Sequence, residues 1–337
     1  HDGIDPRTGE RVGPATGEAR TFTSFEQVMD AYKTQLRYFV DLKIAGNNVI
    51  ERLFARFMPA PFMSLVMDDC IEKGVDYHEG GARYNPTYIQ GVGIGTLTDA
   101  LSAIKHHVFD TREVTMETLL EATEADFDGH ELLHRRLLEK TPKYGNDDPR
   151  ADDIAAAVFE AYYEVLNGRP NTKGGHYRVN LLPTTVHIYF GSVLGALPSG
   201  RRRAQPVSDG ISPEQGADRH GPTAIIQSAS RIDHARTGGT LLNLKFHPQV
   251  LAGDEGIAKL AQLVRSYFRL GGHHVQFNVI DAETLRRAQE RPEEHRELIV
   301  RVAGYSDYFV DLGRELQDEI IARTEQPVSY THLTLPT

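Results

Sequence analysis

The sequence predicts an α/β fold. Three observations carry that expectation: long segments with apolar residues at helical spacing, short apolar runs of strand length between them, and Gly- and Pro-rich stretches that separate the two. The opening "HDGIDPRTGERVGPATGEAR" is loop-like. Phe25, Val28, Met29, Tyr32, Leu36, Phe39 and Val40 then recur at helical spacing and predict a helix over 23–57, capped by Thr23 or Ser24. "PAPFMSLVMDDCIEKG" predicts a second helix, entered through prolines and ended at Gly74. Further helices are expected at "TDALSAIKHHVFD", "TMETLLEATEADF", 128–140 and 150–166. After Gly168 the texture changes, and "HYRVNLLPTTVHIYFG" reads as β-rich. Loops dominate 195–222, "GPTAIIQSASRID" reads as a short segment, and "GGHHVQFNVID" reads as a strand. Between these two lies a helix over 254–270, with Ile257, Leu260, Leu263, Val264 and Phe268 facing inward. The run Leu298 to Ala303, broken only by Arg301, predicts a buried strand that stops at Gly304. A last helix over 307–324 is expected to bury Phe309, Leu312, Leu316, Ile320 and Ile321.

Bulk properties narrow the function. The 337 residues are 40% hydrophobic and 25% charged, enough for one large or two medium domains. A net charge of −10 gives no electrostatic reason to expect nucleic acid or an anionic membrane as partner. The basic run "GRRRAQ" (200–205) reads as a solvated loop. Cys70 is the only cysteine, so no intrachain disulfide is possible, which fits a reducing cytoplasm. No apolar run approaches the roughly 20 residues that span a bilayer. The chain starts without Met and reads as a fragment of a longer protein. The tail "PVSYTHLTLPT" (327–337) resembles translated sequencing adapter and is set apart from the fold.

Several motifs invite chemistry. "HELLH", His130 to His134, matches a zinc-binding helix, but Arg135 and Arg136 follow it and no third ligand sits in a recognisable motif; an exposed, charged helix is expected, and no metal. "GVGIGT", Gly91 to Thr96, lacks the lysine of a phosphate loop and a convincing strand ahead of it, so close backbone packing is expected. Cys70 follows two aspartates, late in a helix, and reads as structural. His273 and His274 alternate along a strand and are poor joint ligands. The acid pairs Asp68/Asp69, Asp147/Asp148 and Asp152/Asp153 read as solvated faces or caps.

"RVAGYSDYF" is of another kind. Arg301-Val302-Ala303-Gly304-Tyr305-Ser306 resembles the C-terminal signature of the glycyl radical enzymes. "GGHHVQFNVID", "LQDEIIARTEQ", "LPTTVHIYFGSVLGALPSGR", "SDGISPEQGADRHGPTA" and "GGTLLNLKFHP" resemble the same family, so the likeness spans 1–326. It implies the C-terminal part of a ten-stranded α/β barrel over 1–200 and a glycine radical domain over 207–326. It makes Gly304 the radical residue, with Arg301, Val302, Ala303, Tyr305 and Ser306 as the flank that an activating enzyme recognises. That enzyme, using S-adenosylmethionine and an iron–sulfur cluster, removes a Cα hydrogen; this chain itself would bind no cofactor. The glycyl radical then oxidises a cysteine, whose thiyl radical attacks a small-molecule substrate. A radical on glycine is shared with the flanking amide nitrogen and carbonyl, no side chain twists it out of plane, and burial would shield it. The family's Gly-Cys-(Val/Ile)-Glu loop is absent here, so the catalytic cysteine and most of the substrate pocket are expected elsewhere, and the chain alone would do no chemistry. "GGARYNPTYIQGVGIGT", "TPKYGNDD" and "DEIIARTEQ" look most like the branch that dehydrates hydroxyproline. Glycerol, propanediol, isethionate and choline lyases share the machinery, and a non-catalytic radical-domain partner protein is a further alternative. The resemblance also implies a cytoplasmic homodimer.

Overall fold

The computed structural model describes residues 2–182 and 184–326. The expectation for the tail 327–337 lies outside the described residues. Two compact units are present: residues up to Ile89 with Glu160–Asn180, and Gln90–Phe159 with the residues from Leu181 on.

The first unit is organised on α1 (Phe25–Phe57), whose buried residues are Val40 and Ile44. Its start matches the sequence expectation, although Ser24 makes no side-chain cap; Gln27 reaches back to the Thr23 N–H instead, at 2.7 Å. The expected second helix is two: α2 (Pro61–Val66) and α3 (Cys70–Lys73). Asp69 breaks it at φ +74°, where its carboxylate pairs with Arg83 at 2.7 Å. Cys70 therefore opens a short helix instead of lying late in a long one, and it is buried. The strands β1 (Thr87–Gln90) and β2 (Tyr177–Asn180) pair with each other.

In the second unit α4 (Ile94–Ala103) is buried along almost its whole length and passes into a π-helical stretch, Ile104–Asp110. α5 (Met116–Glu124) and α6 (Glu131–Lys140) follow, and Leu119, Ala122, Phe127 and Leu137 form a core with Ala103. α7 (Pro149–Leu166) contributes to both units. The β-rich reading of 176–191 holds only for β2; the rest is α8 (Val186–Val193), where tertiary context overrides β-propensity. In "GRRRAQ" Arg203, Ala204 and Gln205 are exposed as expected, but Arg201 is not. Arg201 is 2% exposed, and its guanidinium donates to the Gly191, Gly195 and Pro206 carbonyls at 2.7, 2.8 and 3.3 Å. The Gln205 carbonyl accepts from it as well, and these four backbone acceptors make burial of that charge tolerable. Likewise Asp152 is buried, not solvated, and accepts from Ser228 Oγ at 2.9 Å.

"GPTAIIQSASRID" forms α9 (Pro222–Ala229), with Pro222 at the first helical position, where its missing N–H costs nothing. Then β3 (Leu242–Phe246), α10 (Gly253–Arg269) and β4 (Val275–Val279) make a parallel βαβ unit, Leu242 opposite Val275 and Phe246 opposite Val279. On α10 the buried residues are Gly256, Leu263 and Tyr267, whereas Ile257 and Phe268, expected inward, are exposed. α11 (Ala282–Glu290) leads to the hairpin β5 (Ile299–Arg301) and β6 (Ser306–Tyr308). The expected last helix begins later, as α12 (Arg314–Ala322), and β7 (Glu325–Gln326) joins the free edge of β3 in parallel. Leu285, Val300, Val302, Phe309, Leu312 and Ile320 form the core beneath the hairpin, with Leu316 and Ile321 packed partly buried against it.

Candidate functional site

The site is the tip of the β5–β6 hairpin. Alternation along β5 buries Val300 and leaves Ile299 exposed, so the run Leu298–Ala303 is a half-buried strand, not a fully buried one. Arg301 pairs with Ser306, and the Val302 N–H closes the turn on the Tyr305 carbonyl at 2.9 Å. Val302 and Ala303 are buried and anchor the tip, while Gly304, Tyr305 and Ser306 face outward.

Gly304 has φ +85°, and a Cβ built on it would meet no atom within 4 Å. Conformation, not lack of space, demands glycine here. The residue is exposed in this chain. The core beneath the tip is already filled by Val300, Val302 and Phe309, and the left-handed turn carries the backbone outward.

Polar side chains hold this tip from the neighbouring sheet. β4 reverses the usual pattern: Gln276 and Asn278 are buried, and Val279 is exposed. The Gln276 Oε1 accepts from the Gly304 N–H at 3.2 Å and from Arg301 Nε at 2.9 Å. Arg301 also donates to the Gly304 carbonyl and to Ser306 Oγ, both at 3.3 Å. Asn278 grips the Arg301 backbone at both ends, its Oδ1 accepting from the N–H at 2.8 Å and its Nδ2 donating to the carbonyl at 2.7 Å. Just past the end of α12, Arg323 donates to the Val302 carbonyl at 2.9 Å.

Arg323 is itself buried and paired with Glu319 at 2.8 Å, with Asp209 at 3.8 Å. Burial alone would raise Glu319, but the Arg323 charge and a hydrogen bond with His187 hold its carboxyl far below the usual range. Behind the loop lies a polar cavity of about 30 Å³ lined by Asp209, Asn243, Lys245 and Arg323 among others, room for a water molecule and not for an organic substrate.

The other sequence candidates do not join this site. His130 precedes α6, while His134 stacks on Phe127 and its Nε2 lies 2.8 Å from the Gly200 carbonyl. Among the described residues no group of three His, Cys, Asp or Glu side chains is placed to hold a metal. In "GVGIGT" a Cβ on Gly95 would lie 2.7 Å from the Ser212 carbonyl oxygen, which is close backbone packing; β1 does precede the motif, contrary to expectation. His273 lies against His234, the ring centres 5.6 Å apart. Sequence reasoning placed Gly304 and its flank but gave no role to Gln276, Asn278, Asn243 or Arg323. The signal for the first two was the polar–apolar alternation of "VQFNV", to which the sequence reading assigned no inward face.

The family description "Pyruvate formate lyase-like" matches residues 1–191, and "Glycine radical" matches 207–310. The chain is 56% identical over 326 residues to trans-4-hydroxy-L-proline dehydratase of Clostridioides difficile, covering 97% of this chain and 41% of that protein. A crystal structure of the Clostridioides difficile hydroxyproline dehydratase with trans-4-hydroxy-L-proline bound superposes with TM-score 0.94 over 96% of this chain. The glycerol-bound, B12-independent glycerol dehydratase of Clostridium butyricum gives 0.92 at 43% identity, again over 96% of this chain and 41% of that one. The chain thus spans about two-fifths of the length of the relatives it matches.

Proposed function

The chain belongs to the pyruvate formate lyase-like family of glycyl radical enzymes, and from that premise we propose that it forms part of a dehydratase acting on trans-4-hydroxy-L-proline. Water would leave from the 4-hydroxyl position to give 1-pyrroline-5-carboxylate. The observation that carries the substrate is 56% identity across 97% of the chain to a protein of that activity. The radical is assigned to Gly304, supported by its place in the signature and its left-handed turn.

In this reading residues 1–200 belong to the barrel and 207–326 form the radical domain. The flank Arg301, Val302, Ala303, Tyr305 and Ser306 is what a radical S-adenosylmethionine activating enzyme reads, and three of the six residues from Arg301 to Ser306 face solvent, as such a contact requires. The glycyl radical then takes a hydrogen atom from a cysteine thiol in the portion of the longer relatives that this chain does not span. The resulting thiyl radical abstracts hydrogen from substrate. No helix among the described residues is long and apolar enough to cross a membrane. A cytoplasmic homodimer is part of the same proposal.

The test is a chimera in which this chain replaces the matched segment of the Clostridioides difficile enzyme. After anaerobic activation it is expected to show a glycyl radical doublet by electron paramagnetic resonance and to consume trans-4-hydroxy-L-proline. Gly304→Ala is expected to abolish both. A chimera that carries the doublet but turns over glycerol or isethionate instead would overturn the substrate; a doublet that survives Gly304→Ala would overturn the radical site.

A further inference from the structure

The two backbone groups of Gly304 are held by two side chains that are bonded to each other. Its N–H reaches Gln276 Oε1 directly, and its carbonyl is held by Arg301, whose Nε rests on the same oxygen. Gln276 is 6% exposed, and its orientation is dictated from behind. Its Nε2 donates to the Val302 carbonyl at 3.3 Å and to Asn243 Oδ1, while Asn243 Nδ2 donates to the Asp209 carboxylate. Every amide in that relay faces the one way the donors and acceptors allow.

The torsion so fixed is the wrong one for a radical. A glycyl radical is stabilised when its p orbital overlaps the π systems of the flanking amides, and on the nitrogen side this requires φ near roughly 180°. At φ +85° the Cα–C bond, and neither Cα–H bond, stands across the plane of the preceding amide. Removing either hydrogen from that conformation leaves a radical with weakened overlap to the amide nitrogen. Glycine alone turns from the left-handed region to the extended one without a Cβ penalty. That turn changes the torsion between the N–H and the carbonyl, so one of the two hydrogen bonds must break.

We propose that Gln276 is the positioning residue of the radical loop: it latches Gly304 in a twisted resting form, and the latch must open before the radical can form. The inference rests on the assignment of the radical to Gly304. In the step itself one Cα–H bond of Gly304 breaks homolytically, and the hydrogen atom passes whole to a carbon radical that the activating enzyme generates from S-adenosylmethionine.

Two measurements test it on the chain as it stands. Hydrogen exchange across 302–308 is read by mass spectrometry with no activating enzyme present, and the growth of the radical doublet is followed during activation. Gln276→Met keeps the volume but removes the acceptor. It is expected to speed exchange of the loop about threefold to tenfold, the loss of one hydrogen bond, and to speed the appearance of the doublet. Gln276→Glu keeps the acceptor oxygen but loses both Nε2 hydrogen bonds, so exchange and activation are expected to fall between wild type and Gln276→Met, which a general loosening of β4 would not do. Exchange unchanged in Gln276→Met, or a doublet that grows no faster, overturns the latch. A wild-type doublet that persists in Gly304→Ala instead overturns the radical assignment, and the exchange arm separates the two failures because it needs no radical.

Discussion

Arg323 ties the loop to a buried carboxylate. Its guanidinium donates to two acceptors of different kind, the Glu319 carboxylate and the Val302 carbonyl just before the tip. Burying such a group is costly, and an ion pair holds only while both partners remain. Arg323→Met leaves Glu319 charged and buried and frees the loop carbonyl. We expect a loss of about 3–5 kcal/mol in a urea titration, with much of it recovered when Glu319→Leu is added. Arg201 differs in that its partners are backbone carbonyls, so no second substitution can relieve its loss.

The elements divide by how they use their side chains. In β4 the polar residues point inward because the neighbouring hairpin offers backbone groups and a guanidinium to bind, not methyl groups. Alternation was legible in the sequence there, but its phase was not, since phase depends on what lies across the sheet. α1 was legible for the opposite reason: its apolar spacing has one stable reading whatever surrounds it. The break at Asp69 and the burial of Arg201 were hidden because each depends on partners distant in sequence or on carbonyls that the fold itself gathers. Gly304 was found through a short ordered motif, not through periodicity, and nothing local announced that the tip would face outward. On α1 the intrinsic cost of glycine is open to measurement. Gly46 lies inside the helix, exposed, with nothing within 4 Å of a Cβ. Gly46→Ala should raise stability by about 0.5–1 kcal/mol, read as a shift in denaturant midpoint; a loss would mean that the helix needs its bend there.

Across the whole molecule the buried carboxyls set how stability follows pH. Burial pushes Asp218 up to about 6 from an ordinary 3.8, even though Thr324 hydrogen-bonds its carboxylate. The folded chain therefore holds that proton more tightly than the unfolded chain. The contribution is full below about pH 4 and is lost as pH rises through about 6, up to about 3 kcal/mol for this group. Asp99, pushed up to about 7 by burial, and Asp152, pushed up to about 6, act in the same sense. Urea midpoints should thus fall between pH 5 and pH 7, and Asp218→Asn should flatten that slope; an unchanged slope would remove Asp218 from the account. The sheet order β4–β3–β7 has a consequence for biosynthesis. The central strand waits for its second neighbour until Glu325 and Gln326 have been made, and Arg323 reaches the loop only just before them. The hairpin bearing Gly304 is translated earlier, so on the ribosome it must spend an interval paired to itself but not yet pinned by Arg323.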